Sequence, residues 1–282
     1  MIIGITGLYA DSVGNKRIAG AGKDAAADRL VEAHKFVRIG LADPLKRICQ
    51  DVFQFTDEQL WGPSSAREAV DKRYPRGAQE YRDSAENEER SERAALMDDD
   101  QESAAQHRRL AEGYAKEGWL SPRVALQTLG TEWGRWCYPD VWMEYALRVA
   151  KRLEVGDCYY DQKSGLRTSS SFGSAISPHI SAVFSDVRFY NEFKLIRKAG
   201  GKLIRIKRDA KQPLPDLLNS EHPSETQLIT VGDDHFDYVI DNNGSLSTLA
   251  VRVDRMMDVF TGRLMEFDEA QADVPPFMRK KS

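Results

Sequence analysis

A glycine-rich stretch near the amino terminus carries the residue types that bind phosphate groups. Gly20, Gly22, Lys23 and Asp24 belong to the sequence GAGKD, and Gly7 stands further upstream. Glycines let backbone N–H groups turn towards an anion, the start of a helix offers further donors, and a lysine adds a positive charge. The stretch therefore predicts a loop that holds the phosphates of a ligand.

The spacing departs from the phosphate-binding motif G-x-x-x-x-G-K-[ST] in two places. Gly7 lies sixteen positions before Lys23, where the motif has six, so about ten residues are inserted. Asp24 stands where the motif has serine or threonine, and a carboxylate also ligates Mg²⁺. If the extra residues Tyr9–Ile18 fold outward, the phosphate site survives, and if they fold inward, it is lost. The alternative is a glycine-rich surface loop that merely precedes a helix.

The elements around this loop are typical of an α/β protein. Apolar runs alternate with amphipathic segments, which predicts a doubly wound parallel sheet of five strands with helices on both faces. In such a fold the loop after the first strand lies at the edge where ligands bind. The predicted strands are Met1–Thr6, Lys35–Leu41, His179–Phe184, Lys202–Ile206 and Tyr238–Ile240.

Further charged residues follow the predicted strands. Asp186 comes directly after an apolar strand, an arrangement that positions Mg²⁺ or its waters in phosphoryl-transfer enzymes. Asp43 and Lys46 follow the second strand, in a helix that Pro44 opens, and are either ligand-binding residues or a solvated helix start.

A helix that Ser121 is predicted to cap, with Pro122 in its first position, presents a second polar group. Arg123 and Gln127 are four positions apart and so share one face. Thr131, Glu132 and Arg135 follow one to two turns later, and the tryptophans among them, Trp133 and Trp136, are expected in the core.

Composition bounds the remaining properties. Residues 64–118 are rich in charge and predict an exposed helical insertion or a partly mobile arm. Residues 161–178 predict a flexible loop and residues 268–282 a loose tail, which leaves residues 1–63 and 119–267 as the core. A net charge of −4 argues against general nucleic-acid binding, and no apolar run has the length of a membrane span. Three widely separated cysteines imply neither a disulfide framework nor a metal site, so a reducing cytosol is expected. No signal peptide is expected, so a cytoplasmic location is predicted.

Four stretches together resemble the deoxynucleoside monophosphate kinases of tailed phages, a branch of the P-loop kinases. They are Gly20–Asp24, Ala42–Lys46, Ser121–Arg135 and Ser185–Glu192. GGKLIRIKR, HPSE and YVIDNNGSL add to the likeness, and IDNNGSL also resembles dephospho-coenzyme A kinases. The resemblance implies a P-loop kinase-like fold and transfer of the γ-phosphoryl group of ATP to a deoxynucleoside 5′-monophosphate. Members of that family typically have a shorter loop and a threonine where Ala25 stands.

The resemblance also implies a role for each candidate residue. ATP would be held by Gly7, Gly20, Ala21, Gly22, Lys23, Asp24 and Arg208; Mg²⁺ by Asp24 and Asp186; and the acceptor nucleotide by Asp43, Lys46, Arg123, Gln127, Thr131, Glu132, Arg135 and Arg188. Lys23, Asp186 and Arg188 would be catalytic. Arg208 or Lys211 would reach the transferred group from a lid between Lys207 and Glu225. Glu132 and Arg135 have a structural ion pair as their alternative role, and Lys16 and Arg17 could add cations near the phosphates.

Three functions stay open at this point. The first is a deoxynucleoside monophosphate kinase that supplies phage DNA synthesis in the host cytoplasm, with small nucleotides as its partners and a homodimer as one oligomeric state. The second is a catalytically silent nucleotide-binding protein. The third is a kinase acting on another small acceptor, such as dephospho-coenzyme A.

Overall fold

The computed structural model describes residues 1–12, 16–18, 20–154, 158–161, 166–169, 181–209 and 226–263. The strands are β1 (Ile2–Ala10), β2 (Lys16–Arg17), β3 (Val37–Arg38), β4 (Asp71–Pro75), β5 (Trp119–Leu120), β6 (Cys158–Asp161), β7 (Leu166–Ser169), β8 (Ala182–Phe184), β9 (Lys202–Asp209) and β10 (Tyr238–Asp241). The α-helices are α1 (Lys23–His34), α2 (Asp43–Phe53), α3 (Asp57–Trp61), α4 (Ser64–Glu68), α5 (Gln79–Met97), α6 (Gln101–Gly118), α7 (Pro122–Gln127), α8 (Val141–Glu154), α9 (Tyr190–Lys198) and α10 (Leu246–Phe260). A π-helix (Thr128–Arg135) and a 3₁₀ helix (Asp233–His235) complete these elements.

The central sheet has the strand order β10-β9-β1-β8-β3, and every neighbouring pair in this order is parallel. This confirms the predicted five-stranded parallel sheet. In chain order, β3 and β8 are added on one side of β1, and β9 and β10 are then added on the other side. The order therefore reverses at β1, and ligands of such sheets bind outside the carboxyl ends of the strands at that point.

The first strand is longer than predicted. β1 runs beyond Thr6 to Ala10 because β9 continues beside it, with Leu8 opposite Lys207 and Ala10 opposite Asp209. The short strand β2 pairs antiparallel with the same end of β1 and gives the sheet its sixth strand.

Helices cover both faces of the sheet because the side chains of β1 alternate between them. Ile3 and Ile5 are fully buried against apolar residues of α1 and α10, among them Leu30 and Val253. On the opposite face, a Cβ atom built on Gly4 would lie 2.5 Å from Cδ1 of Ile196 on α9. The structure is thus doubly wound, as predicted.

The chain divides into two compact units. The first contains the described residues of Met1–Leu41, Met143–Asp161 and Arg167–Ser282, and therefore the central sheet. The second contains those of Ala42–Trp142 and Gln162–Leu166. It is larger than the predicted insertion of residues 64–118, which contributes its long helices α5 and α6. No helix in the described part of the chain has the length and apolar character needed to cross a membrane.

The second unit is built on a small apolar core and a two-stranded sheet. Cys49, Phe55, Leu60 and Ala125 are buried together in the core. β4 pairs antiparallel with β5, so the region predicted to be a helical insertion or a mobile arm also contains a strand. Its sequence, DKRYP, is polar and ends in proline, so it lacks the alternation of apolar residues that indicates a strand.

Two further expectations are wrong. Trp133 and Trp136 are 54% and 83% exposed instead of belonging to the core. The flexible loop predicted over residues 161–178 contains β7, which pairs with β6. Most of that stretch, Lys211 with the lid segment 210–225, and the tail 268–282 lie outside the described residues.

Candidate functional site

The predicted phosphate loop is closed at its base by a contact between Gly7 and Ile18. A Cβ atom built on Gly7 would lie 2.2 Å from the carbonyl oxygen of Ile18 and 3.0 Å from Cβ of Ala21, so only glycine fits there. If the ten residues Leu8–Arg17 are left out, four residues separate Gly7 from Gly22 and Lys23. That is the spacing G-x-x-x-x-G-K. The insertion therefore lengthens β1 and leaves the spacing of the loop intact.

Two glycines give the loop the backbone shape of an anion site. Gly20 has a φ of 87° and Gly22 a φ of 97°, both in the left-handed region that residues with a Cβ atom avoid. Gly22 is also the residue before α1, and the first bond within that helix runs from the N–H of Ala26 to the carbonyl of Gly22. The N–H groups of the first helical turn have no partner inside the helix, so they and the positive end of its dipole suit a phosphate.

Asn242, which follows β10, supports the backbone of this loop. The residue is buried, and its Nδ2 donates to the carbonyl oxygen of Ala21 over 2.8 Å. A Cβ atom on Gly22 would lie 2.3 Å from the same Nδ2 atom. The backbone N–H of Asn242 donates in turn to the carbonyl of Lys207 on β9. The conformation of the loop is thereby tied to the edge of the sheet.

Lys23 and Asp24 open helix α1. The side chain of Lys23 is buried, and its Nζ lies 3.7 Å from Oδ2 of Asp24. The carboxylate of Asp24 is itself 56% exposed, so it is accessible to a metal ion carried by a ligand. The ion pair brings one cation and one anion to the end of the loop where the helix begins.

Asp186 lies at the same edge of the sheet, immediately after β8. One of its oxygens, Oδ1, accepts a hydrogen bond of 3.3 Å from the backbone N–H of Leu41. The next residue, Val187, donates its N–H to the carbonyl of Ile5 on β1. The structure therefore fixes this carboxylate just beyond the carboxyl end of β8, next to the middle of β1.

Glu192 holds the loop that carries Arg188. It is buried, and its Oε2 accepts hydrogen bonds from the N–H groups of Arg188, at 2.9 Å, and Phe189, at 3.1 Å. A glutamate at the third position of a helix is a known capping residue, so this role is a signal that the sequence contains and that the list of candidate residues missed. Arg188 itself is half-buried.

Arg208 does not belong to a lid. It lies in β9, directly opposite Tyr9 of β1, and its side chain is exposed at the carboxyl end of the sheet. The strand was predicted to end at Ile206 because RIKRD is highly charged. Pairing with the long β1 extends it to Asp209.

The segment that follows residues 210–225 is anchored to the same strand by a buried arginine. Arg205 donates to the carbonyls of Leu228 and Val231 and to Asp233, and its guanidinium lies 4.1 Å from the centre of the Phe236 ring. Burial raises the pKa of Asp233, but the hydrogen bonds from Arg205 and Lys207 outweigh it and leave that pKa below its usual value. The hydrogen bond to Asp233 likewise raises the pKa of Lys207.

The second unit gathers several of the predicted acceptor-binding residues. Helix α2, with Asp43 and Lys46, packs against α7, with Arg123 and Gln127. Asp43 is buried, and Nζ of Lys46 lies 5.3 Å from the centre of the Trp61 ring. Arg123 has an acidic neighbour on α4, with Nη1 3.9 Å from Oε1 of Glu68. Ser121 caps α7 by accepting from the N–H of Val124, as predicted.

The second polar cluster lies on the π-helix and not on a continuous α-helix. This element carries Thr131, Glu132 and Arg135, and π-helical turns often occur at functional sites. Its glycines permit close packing, since a Cβ atom on Gly130 would lie 3.0 Å from Cδ1 of Leu45, and one on Gly134 would lie 2.3 Å from the Trp142 ring.

The described residues suit Mg²⁺ that arrives with a nucleotide. They contain no group of three or more His, Cys, Asp or Glu side chains that would hold a metal ion alone. Mg²⁺ is instead commonly bound through one or two carboxylates together with substrate phosphates. Asp24 and Asp186 offer carboxylate oxygens of that kind at the carboxyl edge of the sheet.

Comparison with known proteins shows similarity to a viral protein. No protein-family model matches the chain. A protein of Acanthamoeba polyphaga mimivirus, named "Putative deoxynucleotide monophosphate kinase", is 26% identical over 230 residues, which cover 80% of this chain and 86% of the relative. The α/β architecture, with its mostly parallel sheet flanked by helices, is consistent with a P-loop kinase-like fold.

Proposed function

We propose that this protein transfers the γ-phosphoryl group of ATP to the phosphate of a deoxynucleoside 5′-monophosphate, giving ADP and a deoxynucleoside diphosphate. The observation that carries the proposal is the phosphate loop. Gly7 closes on Ile18, Gly20 and Gly22 adopt left-handed conformations, and α1 begins at Lys23. The similarity to the viral protein named as a kinase of deoxynucleotide monophosphates supports the choice of reaction.

On the donor side, the residues of the first unit have complementary tasks. Backbone N–H groups of the loop and the ammonium group of Lys23 would bind the phosphates of ATP, and Arg188 would add a cation near the transferred group. Asp24 and Asp186 would hold Mg²⁺, directly or through water. When bound, that ion neutralises charge on the β- and γ-phosphates.

On the acceptor side, Arg123 is the main candidate for binding the phosphate of the deoxynucleotide. A guanidinium group matches two phosphate oxygens at once, and in this structure Arg123 lies 3.9 Å from the anionic group of Glu68. Gln127 lies one helical turn further on and would contact the base. Lys46, Asp43 and the π-helical residues Thr131, Glu132 and Arg135 complete the proposed acceptor group.

The reaction requires the protein mainly to position the two nucleotides and to neutralise their charge. An oxygen of the acceptor phosphate attacks the γ-phosphorus, the bond to the β,γ-bridging oxygen breaks, and ADP leaves with that electron pair. A phosphate monoester is largely doubly ionised at neutral pH, since its second pKa is about 6, so its oxygen needs no general base. We expect the reaction in the cytoplasm of the host cell, where reduced thiols such as those of Cys49 and Cys137 persist.

The test is a coupled ADP-release assay with each of the four deoxynucleoside monophosphates. Lys23→Met keeps the aliphatic stem of the buried lysine and should lower kcat about 100-fold or more. Arg123→Ala should raise KM for the deoxynucleotide about 10- to 100-fold, because that is the usual loss of affinity when hydrogen bonds to a charged group are removed. Lys151→Ala and Arg148→Ala, which change exposed residues of α8, are the matched controls and should behave as wild type.

The same assay separates the competing functions. Binding of ATP or a deoxynucleotide without turnover would identify a silent nucleotide-binding protein. Turnover with dephospho-coenzyme A and with no deoxynucleotide would identify a different acceptor. Wild-type turnover that survives Lys23→Met unchanged would refute the proposed role of the phosphate loop.

A further inference from the structure

Three side chains lie side by side across the carboxyl ends of adjacent strands. Tyr9 of β1 is directly opposite Arg17 of the antiparallel β2 and directly opposite Arg208 of the parallel β9. Residues paired in this way project from the same face of a sheet. The result is a row of two arginines with a tyrosine between them.

This row lies on the face of the sheet that carries the phosphate loop. Side chains alternate along β1, so Tyr9 shares a face with Ile5, which packs in the core beside Ala21 of the loop. Tyr9 itself is partly buried against that same cluster. Both arginines therefore flank a ring that rests on the core beneath the loop.

Arg17 is held directly against the loop. Its guanidinium carbon lies 4.8 Å from the centre of the Tyr9 ring, at the distance of a cation–π contact. Its Nη2 atom lies 2.9 Å from the position that a Cβ atom on Gly20 would occupy. Gly20 is the left-handed glycine in the middle of the loop, so the guanidinium packs against the backbone that would surround a phosphate.

We propose that Arg17, supported by Arg208, binds the terminal phosphates of the nucleoside triphosphate that occupies the phosphate loop. The inference rests on the proposed function, because it requires that the loop bind ATP. It assigns a task to the insertion between Gly7 and Ile18, which is to bring an arginine back onto the loop from the neighbouring strand. No bond to phosphorus forms or breaks at Arg17, which acts as a fixed cation.

The physical advantage lies in the fixed position of the guanidinium. Its planar group donates two parallel hydrogen bonds to phosphate oxygens, and each is stronger than a bond between neutral groups. Long side chains usually lose conformational entropy on binding, and the stacked Tyr9 ring reduces that loss by ordering Arg17 beforehand. Arg208, exposed on the other side of the ring, would contribute a weaker, more hydrated charge.

The test measures the affinity of the intact protein for ATP with Mg²⁺ and, separately, for a deoxynucleoside monophosphate, by titration calorimetry. Arg17→Ala should raise the Kd for ATP about tenfold or more, because hydrogen bonds to charged groups are lost. The Kd for the monophosphate should stay within about twofold, since the proposed acceptor residues belong to the other unit. Lys151→Ala, which removes an exposed charge from α8, is the matched control and should change neither value.

Two further variants keep the result interpretable if Arg17→Ala folds poorly. Arg17→Lys keeps the charge and loses the planar group, so it should give an ATP affinity between those of wild type and Arg17→Ala. Arg208→Ala should weaken ATP binding less than Arg17→Ala does. A purely structural role for Arg17 would instead lower Tm and weaken both ligands together.

The outcomes separate this inference from the function on which it rests. Wild-type protein that binds no ATP would overturn both. Wild-type protein that binds ATP, with Arg17→Ala and Arg17→Lys binding it equally well, would overturn only the role of Arg17 and leave the proposed function in place.

Discussion

Gly22 is the point at which the phosphate loop meets Asn242, so the variant Gly22→Ala measures how tightly the loop is held. Two separate penalties are expected. The φ of 97° costs a residue with a Cβ atom about 1–2 kcal/mol. The new Cβ atom would also lie 2.3 Å from Nδ2 of Asn242, and such overpacking costs about 1–3 kcal/mol more. We therefore expect Gly22→Ala to lower the free energy of unfolding by about 2–5 kcal/mol.

A double-mutant cycle separates the two penalties. Asn242→Ala alone removes the hydrogen bond to the carbonyl of Ala21 and leaves that oxygen without its buried donor, at a cost of about 1–3 kcal/mol. In the double variant Gly22→Ala/Asn242→Ala the close contact disappears while the left-handed conformation remains. The double variant should therefore be less destabilised than the sum of the single variants, by about 1–3 kcal/mol.

The measurement is urea unfolding at 25 °C of the four proteins in the cycle. Gly200→Ala is the matched control, because Gly200 has a φ of 74° and no atom within 4 Å of the added Cβ. It should show the conformational penalty alone, about 1–2 kcal/mol. Single-variant effects that add to within about 0.5 kcal/mol in the double variant would refute the claim that Asn242 limits the space at Gly22.

Three other predictions concern stability and reactivity. The hydrogen bond from Arg73 lowers the pKa of Asp71 from 3.8 to about 2, so the charged form stabilises the fold above pH 3.8. Asp71→Asn should therefore cost about 1–2 kcal/mol at pH 7, with a difference from wild type that vanishes in unfolding curves as the pH falls towards 2. Burial raises the pKa of Cys49 to about 11, so iodoacetamide at pH 7.5 should label the exposed Cys137 and spare Cys49 until urea unfolds the protein, as followed by peptide mass spectrometry. Gly113→Ala, at a helical site with nothing within 4 Å of the new Cβ, should raise the free energy of unfolding by about 0.5–1 kcal/mol in the same denaturant assay.

The parts of the fold that were predictable are those with strong local signals. The β-branched run Met1–Thr6, the Ser121-Pro122 cap and the order of strands and helices suffice for a five-stranded parallel sheet and for a loop beyond its first strand. The π-helix was not predictable, because apolar spacing does not distinguish its wider turns from those of an α-helix. The exposure of Trp133 and Trp136 was also missed, since residue type gives only an average tendency to be buried.

The residues of the candidate site also fall into a predictable and an unpredictable group. Gly22, Lys23 and Asp186 could be predicted as candidates because each stands next to a clear element boundary. The roles of Asn242 and Glu192 depend on contacts with backbone groups, of which only the helix cap of Glu192 leaves a pattern in the sequence. Arg17 was noted only for its charge, because the pairing of β2 with β1 is set by the register opposite Tyr9 and not by the strand propensity of two basic residues.

The position of the insertion explains why it leaves the phosphate loop intact. The loop requires contact between Gly7 and Ile18. An inserted segment that leaves at Gly7, pairs with itself and returns at Ile18 preserves this contact. Pairing of β1 with both β2 and β9 holds Leu8–Ala10 and Lys16–Arg17 in the sheet. β2 is an edge strand of two basic residues, and a short, charged edge resists pairing with another chain. One of those residues, Arg17, is half-buried and packs against Gly20, so the strand that protects the edge also places a cation beside the loop.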